Sequence, residues 1–421
     1  MIGLLLFGSF AVMILIGVPI AVSLGLSAIL CYIQLGIPIS GAAQKLFISM
    51  DGTSLMAIPL FILAGSFMSE GGISKRLADL TNDIVGGIRG GMAIAAVLAC
   101  AIFAALCGSG AATVTAMTAI FYPTMTKLGY PEERSAGLTA VAGSLGPIIP
   151  PSIVMMVYAT TVGASVEQMF LAGTGIGLLM TGGLIVCCLV LAHKENWPKS
   201  EKKLSVKHLA HSIWSAIPAL MIPVIILGGI FSGICTATES ASLAVIVSVF
   251  VSIYVYKEMT WKDLPKAIIG AAKNSAMVML VIAASSVFGW VFTTAGLSKA
   301  IVAAITGMNL SPMAFTLIMA FVMFVFGLFM DGMATILLII PILWPIANSM
   351  GINPIYFGMI VTLGVEMGSM TPPVASNVFC VASVTKLPIE RILKGELPFF
   401  IVMILLNFLV IFCPFLSTML L

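Results

Sequence analysis

Charge is the scarcest property of this sequence. Only 8% of its 421 residues are Asp, Glu, Lys or Arg, against about 25% in soluble domains, so the chain cannot cover a water-facing surface in the usual way. Histidine is nearly missing, and the three present, His193, His208 and His211, flank one polar connection. An intramembrane serine hydrolase is thereby excluded, because no base stands near a candidate serine. The Walker-type phosphate loop that an ATP-driven pump needs does not occur. A net charge of +3, with basic residues scattered through loops, leaves no nucleic-acid footprint. Cys31, Cys100, Cys187, Cys188, Cys380 and Cys413 sit in apolar stretches without metal-type spacing and read as small hydrophobes rather than disulfides or ligands. The N-terminus has no basic n-region and no small-residue cleavage site before the apolar run continues past Pro19, so it reads as retained structure.

What the chain does have is hydrocarbon. Sixty per cent of it is apolar and its mean hydropathy is +1.18. Runs close to the ~20 residues needed to cross a bilayer recur, among them Met169 to Ala192, Ile213 to Phe231, Leu243 to Tyr256 and Phe399 to Phe415. The expectation is an all-α, multi-pass protein of a bacterial inner membrane.

The chain also repeats itself. Phe121-Tyr122-Pro123, Gly129, Gly146 and Pro150-Pro151 recur 222 positions later as Leu343-Trp344-Pro345, Gly351, Gly368 and Pro372-Pro373. A small-residue break precedes each copy, Cys107-Gly108-Ser109-Gly110 and Met330-Asp331-Gly332, and Thr113 matches Thr335. Matched apolar segments interrupted by Gly and Pro point to a secondary transporter whose sites lie between repeats near the bilayer midplane. The predicted organisation is a first repeat over 1–192, with an amphipathic arm at 73–89, a hairpin at about 90–127 and a broken helix at about 135–163. A basic cytoplasmic loop follows at 193–211. The second repeat, 212–421, has an arm at 295–309, a hairpin at about 313–349 and a broken helix at about 356–384.

Sidedness follows from the basic residues. Lys194, Lys199, Lys202, Lys203 and Lys207 mark the central loop as cytoplasmic. In the first arm Ile73, Leu77, Leu80, Ile84 and Ile88 form an apolar stripe with Lys75, Arg76 and Arg89 beside it, whereas its counterpart, Leu297, Ile301, Ile305 and Met308, carries only Lys299. The connection Lys127 to Arg134 is basic at both ends, and Ser349 to Tyr356 has no basic residue. The halves therefore read as inverted, with two re-entrant hairpins meeting tip to tip. Whether Met1 to Ile33 is one bent crossing or two short ones stays open.

A helix that stops in mid-membrane leaves backbone groups unpaired, which is tolerated only where they line an enclosed polar cavity. Carbonyls at a broken C-terminus suit a sodium ion, and N–H groups at the next N-terminus suit an anion. Three acids stand in apolar surroundings, Asp331, Glu239 and Glu366. A carboxylate at a helix centre costs on the order of 2.5–3.5 kcal/mol, so each is a functional candidate. Asp331 is the strongest because it occupies a hairpin tip. Glu366 either lines the same cavity or is protonated and structural. Glu239, in Thr236-Ala237-Thr238-Glu239, reads as a helix-start residue, with a buried basic partner as the alternative.

Gly17-Val18-Pro19-Ile20-Ala21, the Gly-Ser-Gly hairpin, the Pro-rich breaks and Thr236-Ala237-Thr238-Glu239 together resemble the large membrane (M) subunit of the tripartite ATP-independent periplasmic (TRAP) transporters, over essentially the whole chain. The resemblance implies an elevator-type fold, similar to the ion transporter superfamily, and sodium-driven import of an organic acid such as a C4-dicarboxylate or a sialic acid. It implies a periplasmic substrate-binding (P) protein and a small four-helix membrane (Q) subunit as partners, with membrane lipid around them. Carried onto this sequence, sodium (Na+) would be held around Gly108, Ser109, Gly143, Ser144, Asp331, Gly332, Thr335, Gly364, Met367 and Thr371. Substrate would meet Gly108, Ser109, Gly110, Ser144, Pro150, Gly368, Thr371 and Pro372. The first tip reads Gly-Ser-Gly-Ala where many relatives show a second serine, so a hydroxyl ligand is missing there or replaced by a backbone carbonyl. The main rival is a self-sufficient sodium or proton symporter with the same hairpins and no binding protein. A channel would need a continuous polar stripe, which the sequence does not show.

Overall fold

In the computed structural model of the chain, residues 2–85, 87–199, 206–297 and 310–421 are described, apart from the side chains of 53 and 206–208. Among them the secondary structure is helical, and the one extended pairing is an isolated bridge between Arg89 and Lys199.

The first half opens with α1 (Ile2–Leu15) and α2 (Ile20–Gln34), two short helices that pack against one another. Gly17 between them has a positive φ of 85° and Pro19 precedes α2, so the stretch left open by the sequence forms two helices. Next come α3 (Ile39–Met50) and α4 (Ala57–Glu70), bent by 71° where a single 3-10 turn intervenes. The arm is α5 (Ile73–Val85), which buries Ile73, Leu77 and Leu80. Ile84 and Ile88 of the predicted stripe are exposed, because the helix ends at Val85 and the protein surface falls away there.

The first hairpin is α6 (Gly91–Cys107) and α7 (Gly110–Lys127). Its helix α6 is apolar all round and almost wholly buried, which marks a segment enclosed by protein rather than a surface helix. The broken helix is α8 (Glu132–Gly143) and α9 (Ile153–Val162), and α10 (Val166–Lys194) then runs back to the basic loop.

The second half follows the same plan: α11 (Val206–Phe231), α12 (Ala237–Phe250), α13 (Leu264–Thr294), a hairpin of α14 (Pro312–Gly327) and α15 (Gly332–Ser349), a broken helix of α16 (Pro354–Ser369) and α17 (Ser376–Thr385), then α18 (Ile389–Phe412) and the short α19 (Phe415–Thr418). Of the second arm, Lys299, Ile301, Ile305 and Met308 lie outside the described residues. Glu239 closes a capping box: the Thr236 hydroxyl accepts from Glu239 N–H, and the Glu239 carboxylate accepts from Thr236 N–H at 2.7 Å. It is therefore a helix-start residue, satisfying donors that α12 would otherwise leave bare.

Among the described residues six helices are long and apolar enough to span a membrane, or seven if the bent α3–α4 pair counts as one crossing. The second arm of a hairpin, Gly332–Ser349, is one of the six by length alone.

Helix α10 is 29 residues long, about 43 Å at 1.5 Å per residue, so its two ends define two faces. The connection after the first hairpin lies at the Lys194 end: Tyr130 Oη donates to Pro198 O at 3.3 Å and Arg134 pairs with Glu195 at 2.9 Å. The connection after the second lies at the other end, where Tyr158 Oη, near the end of α9, donates to Pro354 O at 2.8 Å. The hairpin mouths open on opposite faces.

Candidate functional site

The hairpins meet at their tips. Gly108, Ser109 and Gly110 of the first share a cavity of about 110 Å³ with Asp331, Gly332 and Met333 of the second; Pro147, Glu366, Ser369 and Asn377 complete its polar and turning wall. The 222-position repeat is visible in the lining itself. Ser109 and Asp331, Gly110 and Gly332, Ala111 and Met333, Pro147 and Ser369, and Val154 and Ser376 are all repeat partners and all line this one space.

Each tip is shaped by residues that a bulkier side chain would spoil. Gly108 has a φ of +61°, and a Cβ there would lie 2.1 Å from Pro151 O. Gly146 lets the break of the first half press on the tip, since its Cβ would fall 2.6 Å from Ser109 C. Its repeat partner Gly368 does the same against Gly327, at 2.5 Å. Pro150-Pro151 and Pro372-Pro373 are both cis.

Four helices begin at the cavity. Gly110, Ile153, Gly332 and Ser376 are the first residues of α7, α9, α15 and α17, and all four line it. Each N-terminus presents unpaired N–H groups and a partial positive charge. No lysine, arginine or histidine lines the space, while two carboxylates do, Asp331 and Glu366. Asp331 caps α15, its Oδ2 accepting from Met333 N–H at 3.2 Å, with the rest of the carboxylate exposed. Glu366 is buried at 4% exposure and accepts from Ser369 Oγ at 3.3 Å; Asn377 Nδ2 in turn donates to Ser369 Oγ at 3.4 Å. This chain of polar contacts crosses the break between α16 and α17.

Of the sequence-predicted residues, Gly108, Ser109, Gly110, Asp331 and Gly332 converge on this cavity. The others stand behind it. Ser144 is fully buried and its hydroxyl donates to Val141 O at 2.7 Å. Thr335 is likewise buried and donates to Asp331 O, and Thr371 donates to Met367 O at 3.0 Å. Gly143 and Gly364 sit where helices touch, with a Cβ 2.1 Å from Val114 Cγ2 and 2.9 Å from Met323 Cβ respectively. Met367 and Pro150 are buried, and Pro372 is exposed. Ser369, Ser376 and Asn377 were not singled out. The available signal was a polar pair, Ser376-Asn377, inside an otherwise apolar run directly after a Pro-Pro break. Glu366 lines the cavity, and it occupies the repeat position of Ser144.

Chemically the site offers N–H groups for an anion and carboxylate, hydroxyl and amide oxygens for a hard cation. No nucleophile–base pair exists among the lining residues. Ser109 O and Asp331 O each already accept two hydrogen bonds, from the N–H and Oγ1 of Thr113 and Thr335. Cation binding at the tips therefore falls to side-chain oxygens and to other carbonyls.

Comparison with known proteins places the chain. Residues 7–416 match the family described as tripartite ATP-independent periplasmic transporter, DctM component. The C4-dicarboxylate TRAP transporter large permease protein DctM of Pseudomonas aeruginosa is 42% identical over 92% of this chain and 91% of its own length. The isethionate TRAP transporter permease protein DctMQ of Oleidesulfovibrio alaskensis is 36% identical over 97% of this chain, which spans 65% of that longer protein. The 2,3-diketo-L-gulonate TRAP transporter large permease protein YiaN of Escherichia coli is 35% identical over 95% of this chain and 94% of its own length. In fold, the chain is similar to the YdaH transporter of Alcanivorax borkumensis, with a TM-score of 0.62 at 16% identity over 88% of this chain and 87% of that one. The chain is a multi-pass membrane transporter component, not an enzyme, and belongs to the DctM family of large permease subunits of tripartite ATP-independent periplasmic transporters.

Proposed function

We propose that this subunit imports an organic acid across the inner membrane by sodium-coupled elevator movement, taking its substrate from a periplasmic binding protein and working beside a small membrane subunit. The observation that carries this reading is the convergence of four helix N-termini and two carboxylates on one cavity between the hairpin tips. The N-termini favour the substrate carboxylate. Asp331 and Glu366 repel that same group unless a cation sits among them, so anion and cation binding are coupled electrostatically. Sodium is a co-substrate here, and oxygen ligands suit a hard monovalent ion.

The two hairpins and the two broken helices form the mobile unit in this reading, and the remaining spans form the scaffold. Inverted repeats allow such a unit to offer one site to either face. The fused name of the isethionate relative, DctMQ, supports a small Q partner. The substrate class rests on carboxylate recognition by backbone N–H groups, and the relatives' names point to C4-dicarboxylates and sugar acids.

The test is reconstitution in proteoliposomes under a sodium gradient, with a panel of acids including succinate, 2,3-diketogulonate and N-acetylneuraminate. Uptake should require the small subunit, the loaded binding protein and sodium together. Full uptake by this polypeptide alone would favour a self-sufficient symporter.

A further inference from the structure

A second, larger cavity of about 410 Å³ lies between α3 and α13 on one side and α9 and α15 on the other. The tip cavity, at about 110 Å³, is well below the ~300–1,000 Å³ usual for ligand pockets, and this one is within that range. The two lie next to each other along the same helices. Val154 and Val157 of α9 line the smaller and the larger one respectively, as do Met333 and Leu337 of α15, a separation of about one helical turn, 5 Å.

Its position is fixed by the fold. Thr160 and Thr161 in the last turn of α9 line it, and the chain then enters α10, whose far end reaches the basic loop. Trp290 and Thr293, near the end of α13, line it as well. The start of α13 lies towards the opposite face, because Glu258, just before it, pairs with Arg76 of α5 at 3.3 Å and α5 packs on α11 beside the basic loop. The cavity therefore lies towards the face away from the basic loop, which is the periplasmic one by the positive-inside rule.

Its chemistry is one-signed. Lys45 is the single charged residue of the lining, and among the described residues it has no ion-pair or hydrogen-bond partner. Ser285, 3% exposed, has a hydroxyl with no hydrogen-bond partner. A buried unpaired hydroxyl costs free energy unless a ligand or water satisfies it, and a lone cation in a low-dielectric cleft concentrates anions.

We propose that this cavity is a capture vestibule for an oxyanion, in which Lys45 and Ser285 bind a carboxylate on the periplasmic side before it passes one turn inward to the helix N-termini at the tips. The proposal rests on the organic-acid reading above. One wall, α3 and α13, belongs to the scaffold and the other, α9 and α15, to the mobile unit, so the site exists only while the two are in this register. Movement of the mobile unit separates Lys45 from the rest of the lining and releases the anion to the inner cavity. A lipid phosphate has the same oxyanion chemistry, and the experiment distinguishes the two sources.

The full complex is reconstituted in phosphatidylcholine vesicles with and without phosphatidylglycerol, and Lys45 is acetylated with a membrane-impermeant amine reagent. Succinate should slow modification of Lys45 in both lipids, and Ser285→Ala should weaken that protection. In uptake, Lys45→Gln should raise the half-saturating substrate concentration by about tenfold, the loss of one charged hydrogen bond, with the maximal rate little changed. Lys45→Arg should stay within about threefold of wild type, because the charge is kept. Protection by phosphatidylglycerol alone, with none from succinate, would show a lipid site and overturn the proposal. So would unchanged half-saturation in Lys45→Gln. Protection by succinate in a complex that transports no acid would leave the vestibule standing while the importer reading fails.

Discussion

Thr113 and Thr335, one in each half, perform the same task at the two hairpin tips. Thr113 donates its Oγ1 to Ser109 O at 2.8 Å and its N–H to the same carbonyl at 3.1 Å; Thr335 donates to Asp331 O at 3.0 and 2.9 Å. Each threonine thus ties the residue at the tip to the first turn of the helix that leaves it. Everything around this pair is symmetric except the side chain being held, a hydroxyl at Ser109 and a carboxylate at Asp331.

That difference predicts which tip governs the cation. Asp331→Asn should largely abolish sodium-driven uptake and flatten its sodium dependence, with the protein still folded. Asn and Asp are equally good N-caps, so the stability change should stay under about 1 kcal/mol. Ser109→Ala should raise the sodium concentration for half-maximal uptake by a smaller factor. Uptake against a sodium titration, with thermal melts in and out of sodium, reads both; an Asn variant with wild-type sodium dependence would place the ion elsewhere.

The threonines themselves should matter for the rigidity of the tips. Thr113→Val and Thr335→Val keep the shape and remove one hydrogen bond each, at a cost of about 0.5–1.5 kcal/mol. Similar drops in melting temperature are expected for the two. A severe loss in one and none in the other would contradict equivalent roles.

Glycines that look alike in sequence should separate on substitution. Gly368→Ala places a Cβ 2.5 Å from Gly327 C, backbone that cannot swing aside, and overpacking of this kind costs about 1–3 kcal/mol. Gly110→Ala meets its nearest atom, Pro147 Cδ, at 3.4 Å, so it should fold normally while narrowing the cavity. Melting curves and uptake of the two variants should therefore diverge: stability falls in the first, transport in the second. Equal stability of both would mean that α14 and α16 pack less tightly than described.

Topology can be checked at two exposed positions, Pro131 and Asn353. After replacement of the exposed Cys413, a cysteine at Pro131 should react with an impermeant thiol reagent from the cytoplasm, beside the basic loop. One at Asn353 should react from the periplasm. Labelling of both from one side would refute opposed hairpins.

Much of this architecture was written along the chain in one dimension. Gly-Pro interruptions in apolar runs fix where helices break, because glycine weakens a helix and proline removes a donor, whatever surrounds them. Hence both hairpin tips and both broken helices fall where the repeat placed them. Asp331 was legible for the same local reason, as an acid at a break inside hydrocarbon. Scarcity of charge fixed the solvent, and the distribution of lysine and arginine gave the faces.

Other features depend on neighbours distant in sequence. Whether a residue near a break looks into the cavity or into a helix contact is set by what packs against it: Ser144 spends its hydroxyl on Val141 O, whereas Glu366, its repeat partner, lines the shared space. Gly364 and Gly368 read as flexible breaks in sequence, yet their lack of a side chain serves close approach of α16 to α14. Asn377 is an ordinary amide in the chain, and only the folded break carries it to Ser369 and the first tip. Lys45 and Ser285, 240 positions apart, become one lining only when α3 and α13 are brought together. The sequence by itself determined where the backbone must break and which solvent it faces, since those are local properties of residue type; the tertiary structure decided which polar groups share a cavity, because that depends on packing between segments far apart in the chain.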